Sequence, residues 1–168
     1  GQGQPVEAVV TAVGAYGCSL VEITGGEPLL QRDVYPLMET LLASGKTVLL
    51  ETGGHIDISN VPHDVVKVLD VKCPGSGEVE HNDLANLDRL AKHDEVKFVI
   101  RDRSDYEFAR ALVHKYALED CCAAVLFSPV HRVLDPDRLS EWTLADRLPV
   151  RIQVQLHKYL WGDEVRGV

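Results

Sequence analysis

Helix-like and strand-like patterns alternate along this chain from one end to the other, and that alternation leaves few folds open. Val6, Val9, Val10 and Val13 recur at the i, i+3, i+4, i+7 spacing of a helix face, with Pro5 near its start and Gly17 past its end. A strand is predicted over 19–24. Val34, Leu37, Met38, Leu41 and Leu42 form the next helical stripe, with Asp33 placed as N-cap and Gly45 as its stop. Residues 46–51 and 65–71 read as strands, and Asn82 is expected to open a helix carrying Leu84, Leu87 and Ala91. After a strand at 96–100, Ser104 and Glu107 have capping-box spacing ahead of a helix that turns Ala109, Leu112, Val113 and Tyr116 inward. A strand over 123–127, a helix from Pro136 through Leu139 and Trp142, and a strand over 151–156 complete the series.

Strands separated by helical segments predict an α/β fold with a mostly parallel sheet, open or curled into a barrel. The apolar runs at 47–50 and 123–127 predict strands buried on both faces. No repeat or low-complexity linker interrupts the 168 residues, so a single domain over 1–168 is expected.

Charge narrows the partners. With 17 basic and 26 acidic residues the net charge is −9, and the basic residues form no long cluster, which argues against a nucleic-acid or acidic-membrane surface. No run approaches the ~18 apolar residues of a membrane span, and the N-terminus lacks a basic, apolar-cored signal, so a cytoplasmic protein is expected. Cys18, Cys73, Cys121 and Cys122 match no zinc or cluster spacing and read as reduced, mostly buried thiols.

Polar residues gather where the strands end. Thr24-Gly25-Gly26-Glu27 follows the first strand, Glu51-Thr52-Gly53-Gly54 the second, and Asp70-Val71-Lys72-Cys73-Pro74 the third. Ser128-Pro129 and Gln155-Leu156-His157-Lys158-Tyr159 follow two more. In a parallel curled sheet these ends converge on one mouth. That places Thr24, Glu27, Glu51, Lys72, Ser128 and His157 around a single cavity. Two glycines let backbone amides approach a ligand, and Glu27 beside them is suited to a cationic group such as an α-ammonium. Glu95 and Lys97 read as an internal ion pair.

Thr24-Gly25-Gly26-Glu27-Pro28-Leu29-Leu30-Gln31 resembles the Gly-Gly-Glu segment of the radical S-adenosylmethionine (SAM) superfamily. Joined to Glu51-Thr52-Gly53-Gly54, Asp70-Val71-Lys72-Cys73-Pro74, Glu95-Val96-Lys97-Phe98-Val99-Ile100 and His157-Lys158-Tyr159, the ordered set is similar to the 7-carboxy-7-deazaguanine synthase family, from about residue 5 onward. The resemblance implies a partial (β/α) barrel around a central cavity, a homodimer and a part in queuosine and 7-deazapurine biosynthesis. It implies ring contraction of 6-carboxy-5,6,7,8-tetrahydropterin to 7-carboxy-7-deazaguanine with loss of ammonia. The implied cofactors are SAM, a 4Fe–4S cluster that cleaves it reductively, and Mg²⁺. A flavodoxin- or ferredoxin-type protein is the implied reductant.

Position by position, the resemblance implies a SAM site of Gly25, Gly26, Glu27, Asp70, Val71, Lys72, Ser128, Pro129, Val130 and His131. It implies that Thr24, Glu51 and His157 contact the pterin, with a protonated His157 suited to the substrate carboxylate. No catalytic residue is assigned. Gly53 departs from the Asn of many relatives, and the segment around Ser128 is variable.

The superfamily's cluster cysteines, spaced C-x₃-C-x₂-C upstream of Gly-Gly-Glu, have no counterpart among these residues. The expectation is a chain without the first strand and cluster loop, inactive as it stands, with cluster and Mg²⁺ ligands upstream of Gly1 and no metal ligand within it. Three alternatives stay open. One is a cluster-less SAM- or nucleotide-binding regulatory domain. Another is a related radical SAM activating enzyme. The third is an unrelated barrel enzyme using Lys72 as a Schiff-base amine.

Overall fold

The structure, a computed structural model, describes residues 3–162. Six strands form one sheet in the order β1-β2-β3-β4-β5-β6, every neighbouring pair parallel. They are β1 Leu20–Ile23, β2 Thr47–Thr52, β3 Val66–Val71, β4 Glu95–Ile100, β5 Ala124–Pro129 and β6 Arg151–Ile152. The helices are α1 Val6–Ala15, α2 Val34–Ala43, α3 Arg103–Tyr116, α4 Leu118–Cys121, α5 Pro136–Asp146 and α6 Leu156–Trp161. The sheet is open, as a partial barrel requires. Among the described residues no helix is long and apolar enough to cross a membrane.

Strand order fixes where the core sits. Each strand pairs with its successor, and right-handed crossovers place all the connections of such a sheet on one face. Strand side chains alternate between faces, so one set meets the connections. Val48, Leu50, Leu69, Val96, Phe98, Val125 and Phe127 belong to that set, and all are buried with Met38 and Leu41 of α2, Tyr106 and Val113 of α3, and Leu139 of α5. The opposite face is the concave one. There β2 and β4 alternate buried with half-buried positions, so β2 is not buried on both faces as its apolar run predicts. All six residues of β5 are buried, as expected.

Local signals succeed unevenly. The stripe of α2 buries Val34, Met38 and Leu41, but the Asp33 side chain makes no capping bond. Asp102, not Ser104, caps α3, accepting from the Ser104 and Asp105 amides at 2.9 and 3.2 Å. Glu107 pairs instead with Arg103 and Arg110 along the helix surface, so the capping box does not form. The helix expected from Asn82 is a 3₁₀ segment, Leu84–Arg89, capped by Asp83. Two amides explain this: Asn82 is held in a reciprocal bond pair with the Lys72 backbone, and Asn86 bonds the backbone of Gly54, Ile56 and Ile58. Tertiary hydrogen bonds thus outweigh the apolar spacing. The last strand stops at Ile152, residues 153–155 belong to no helix or strand, and α6 begins at Leu156, where the alternation predicts the strand to end.

One ion pair lies within the core layer. Lys67 Nζ meets Asp94 Oδ2 at 3.0 Å, with the two side chains only 6% and 0% exposed. Asp94 also accepts from the amides of Lys67 and Ala91 at 2.8 and 2.7 Å, tying β3 to the turn that launches β4. Removing one partner of a buried pair strands the other charge. Asp94→Ala is expected to destabilise the protein by about 3–5 kcal/mol, measured by chemical unfolding, whereas an equivalent loss at exposed Asp64 costs little.

Candidate functional site

The turn after β1 is shaped by its two glycines. Gly25 and Gly26 have φ of +95° and +40°, a region side-chain-bearing residues avoid. Glu27 then turns back against β2. Its Oε1 accepts from the Leu29 amide at 3.1 Å and the Thr52 hydroxyl at 2.8 Å, and its Oε2 from the Gly53 amide at 2.8 Å. His55 Nδ1 stands 3.7 Å from the same oxygen, and the Glu27 side chain is only 5% exposed. Its first role is therefore architectural: it pins the Gly-Gly turn to the end of β2. Thr24, Gly25, Gly26 and Glu27 line a concavity of about 520 Å³ between this turn, α1 and α2.

Farther round the sheet, β3 ends in Asp70-Val71-Lys72. Lys72 Nζ bonds Asp70 Oδ2 at 2.7 Å. The other oxygen, Asp70 Oδ1, is buried without a hydrogen-bond partner. Such an acceptor costs stability unless something donates to it. It lies in a cavity of about 370 Å³ that Val71, Lys72, Arg101 and Val130 also line. One wall, the turn after Cys73, is fastened by Asp105, which accepts from the Gly75 amide at 2.7 Å and the Arg101 amide at 2.9 Å. A Cβ on Gly75 would come 2.6 Å from Asp105 Oδ2, so glycine is required there by close approach.

The concave face holds the third cavity, about 440 Å³, lined by Glu22, Glu51, Glu95, Lys97, Ser128 and His157 among others. Lys97 reaches across β3 and bonds Glu51 Oε1 at 2.6 Å, while Glu51 Oε2 accepts from the Thr24 hydroxyl at 3.3 Å. Lys97 is therefore paired with Glu51 and not with Glu95, because residues two apart on a strand project side by side whereas register aims Lys97 over the sheet. Burial, then the charge of Glu51, raises the pKa of Glu22, and Lys97 pulls weakly the other way.

The expected residues are thus spread over adjoining concavities and not one cavity. Glu51, Ser128 and His157 share the concave face, Asp70, Val71, Lys72 and Val130 share the second site, and Thr24 to Glu27 line the first. The Thr24–Glu51 bond links the first to the concave face. Ser128 and Pro129 are buried within β5, and His131 lies beyond it, its ring 5.0 Å from that of Tyr159. His157 is exposed on α6, not at a strand end. Glu22 and Gln153, which also line the concave face, are not among the site residues expected from sequence. The available signal was period two: Glu22, Glu51, Glu95 and Lys97 occupy alternate, inward positions of otherwise apolar strands.

The four cysteines remain apart. Cys18 is exposed, Cys121 half-buried, Cys73 and Cys122 buried. Burial, with Asp105 and Asp70 nearby, pushes the Cys73 thiol well above the ordinary range, which opposes thiolate formation.

Burial separates the two anchoring carboxylates in energy. Glu27→Ala leaves the Thr52 hydroxyl and Gly53 amide without their acceptor and is expected to cost about 2–3 kcal/mol. Lys97→Met breaks a pair whose members are 21% and 26% exposed, and solvent screening limits the loss to about 1 kcal/mol or less. Urea unfolding of both variants checks this order, and a larger loss at Lys97 would reverse the assignment of roles.

No family model matches the chain. It is similar to a curated 7-carboxy-7-deazaguanine synthase of Koribacter versatilis, 51% identical over 162 residues, 89% of this chain and 72% of that protein. A second, from Chlorobaculum tepidum, is 40% identical over 172 residues, 100% of this chain and 77% of that protein. A third, from Methanospirillum hungatei, is 38% identical over 139 residues, 82% and 57% respectively. With its parallel open sheet and its strand-end segments in order, the chain belongs to the 7-carboxy-7-deazaguanine synthase family.

Proposed function

We propose that the protein is an enzyme, a radical SAM lyase of queuosine and 7-deazapurine biosynthesis, acting on 6-carboxy-5,6,7,8-tetrahydropterin to form 7-carboxy-7-deazaguanine and ammonia. Family membership supports the reaction. The observation that carries the site is the buried, unpartnered Asp70 oxygen, which lines a cavity with Val71, Lys72 and Val130 and has no donor to satisfy it.

The residues fit SAM. Asp70 Oδ1, a buried acceptor with no donor, suits a ribose hydroxyl or an ammonium, and the backbone of the Gly25-Gly26 turn is open to a ligand because no side chain covers it. When bound, SAM supplies the adenosyl group that removes a substrate hydrogen. Gly25, Gly26 and Glu27 shape its methionine end, and Asp70, Val71 and Lys72 take the second wall. Ser128, Pro129, Val130 and His131 continue the wall around β5. Thr24, Glu51 and His157 face the pterin. Glu51, kept aimed by Lys97, accepts from N–H groups of the ring, and the exposed His157 imidazole meets the carboxylate.

An iron–sulfur cluster does not fit the described residues. No three His, Cys, Asp or Glu side chains among them are grouped to hold a metal ion, and burial raises the pKa of the Cys73 thiol, which opposes its ligating as a thiolate. The single-domain boundary, the homodimer and a flavodoxin- or ferredoxin-type reductant belong to the same proposal.

Formation of 5′-deoxyadenosine from SAM by the intact gene product, with and without carboxytetrahydropterin, tests the reading. Substrate-dependent release is expected, and its absence under reducing, anaerobic, iron-reconstituted conditions would sink it. In the same assay Asp70→Ala is expected to raise KM for SAM about tenfold, the size of one lost hydrogen bond to a buried charged acceptor.

A further inference from the structure

One buried carboxylate joins two walls of the cavity that Asp70 faces. Asp105 stands in the first turn of α3, only 1% exposed. Its Oδ1 accepts from the Gly75 amide at 2.7 Å and its Oδ2 from the Arg101 amide at 2.9 Å. Gly75 belongs to the turn after β3, and Arg101 directly follows β4. Arg101 closes the triangle, its guanidinium donating to the Gly75 carbonyl at 3.3 Å. All three residues line the cavity that holds the unpartnered Asp70 oxygen.

The junction has no slack. A Cβ on Gly75 would stand 2.6 and 3.1 Å from the two Asp105 oxygens and 3.2 Å from Arg101 Cδ. Two amides bonded to one buried carboxylate are costly to strand. The helix that carries Asp105 has a second, separate anchor. The Tyr106 hydroxyl lies 2.9 Å from the Trp142 carbonyl and 2.8 Å from Asp146 Oδ2, both on α5. What Asp105 decides is therefore the spacing between the turn and the strand end.

That spacing bears on a ligand. Besides Asp70 the cavity offers apolar walls, Val71, Val99, Val130 and Val133. One free buried acceptor among apolar walls suits a flat heterocycle carrying a hydroxylated sugar, as at the adenosyl end of SAM. We propose that Asp105 is a positioning residue for the cofactor: acting through two backbone segments, it holds the Gly75 turn and the Arg101 strand end at the separation that admits the adenosyl group beside Asp70. This rests on the SAM reading above. Loosening the junction then weakens adenosyl binding and leaves the pterin contacts on the concave face as they are.

The test is calorimetric titration of the full-length, iron-reconstituted protein with S-adenosylhomocysteine, an unreactive relative of SAM, and separately with pterin-6-carboxylic acid. Asp105→Ala is expected to weaken binding of the first about tenfold and to leave the second unchanged. Asp105→Asn keeps one acceptor and should recover part of the loss. Gly75→Ala retains the carboxylate but forces the same junction apart, so it should cause a similar loss, and it decides the question if Asp105→Ala does not fold. In an Asp70→Ala background the effect of Asp105→Ala should shrink, because the contact it positions is already gone. Tyr106→Phe loosens α3 at its other anchor and should leave both affinities unchanged. Chemical unfolding of each variant gives the folded fraction to which the affinities are referred.

Asp105→Ala and Gly75→Ala both binding as wild type does would overturn the role of Asp105 while the SAM reading stands. So would an undiminished loss in the Asp70→Ala background, or a loss of the same size in Tyr106→Phe. Wild type failing to bind S-adenosylhomocysteine would overturn the SAM reading and this role with it.

Discussion

Sequential pairing of six parallel strands constrains everything else in this molecule. Because each strand neighbours its successor and every crossover has the same hand, helices and turns cover one face and leave the other concave. The covered face carries Phe98, Phe127, Leu50 and Val96, packed against α2, α3 and α5. The concave face is then the place where polar side chains inside strands are tolerated. Glu22, Glu51, Glu95 and Lys97 sit there for that reason, at positions where a core sheet would carry only apolar residues.

Two carboxylates divide the labour of the mouth. Glu27, nearly fully buried, serves the backbone: it accepts from the Thr52 hydroxyl at the end of β2 and the Gly53 amide just beyond it, and so fastens the glycine turn to that strand end. Glu51, a quarter exposed, is oriented by Lys97 and Thr24 yet remains open to the cavity. The first is structure in the service of binding, and the second is a binding group kept in place by structure. Asp70 combines both, with one oxygen on Lys72 and the other unused. Within a member of the 7-carboxy-7-deazaguanine synthase family, these are the groups that would meet cofactor and substrate.

The alternation of elements was legible along most of the chain. Val34, Met38 and Leu41 of α2 and the apolar strands announced themselves by period, and the Gly-Gly-Glu turn by its unusual composition at a strand end. Failures have a common origin. The apolar spacing of Leu84, Leu87 and Ala91 predicts a helix from Asn82, but the amides of Asn82 and Asn86 bond backbone ten to about thirty residues away, and a 3₁₀ segment results. Asp102 displaced Ser104 as cap because its carboxylate reaches two amides of the first turn. His157 was placed at a strand end because the alternation of 151–156 continues past Ile152, where pairing with β5 has already stopped.

By itself the sequence determined the α/β class and the strand-end position of the segments after β1, β2 and β3, since both depend on local periodicity and on turn-forming glycines. Only the tertiary structure decided which charges meet. Lys97 bonds Glu51, 46 residues away, because the register of β2, β3 and β4 brings them onto one face within reach. Glu22 was left beside that pair without a partner by the same register. Pairing across a sheet depends on strand order and twist, which no local pattern encodes, and so the partners of the charges on the concave face are decided only when the sheet is assembled.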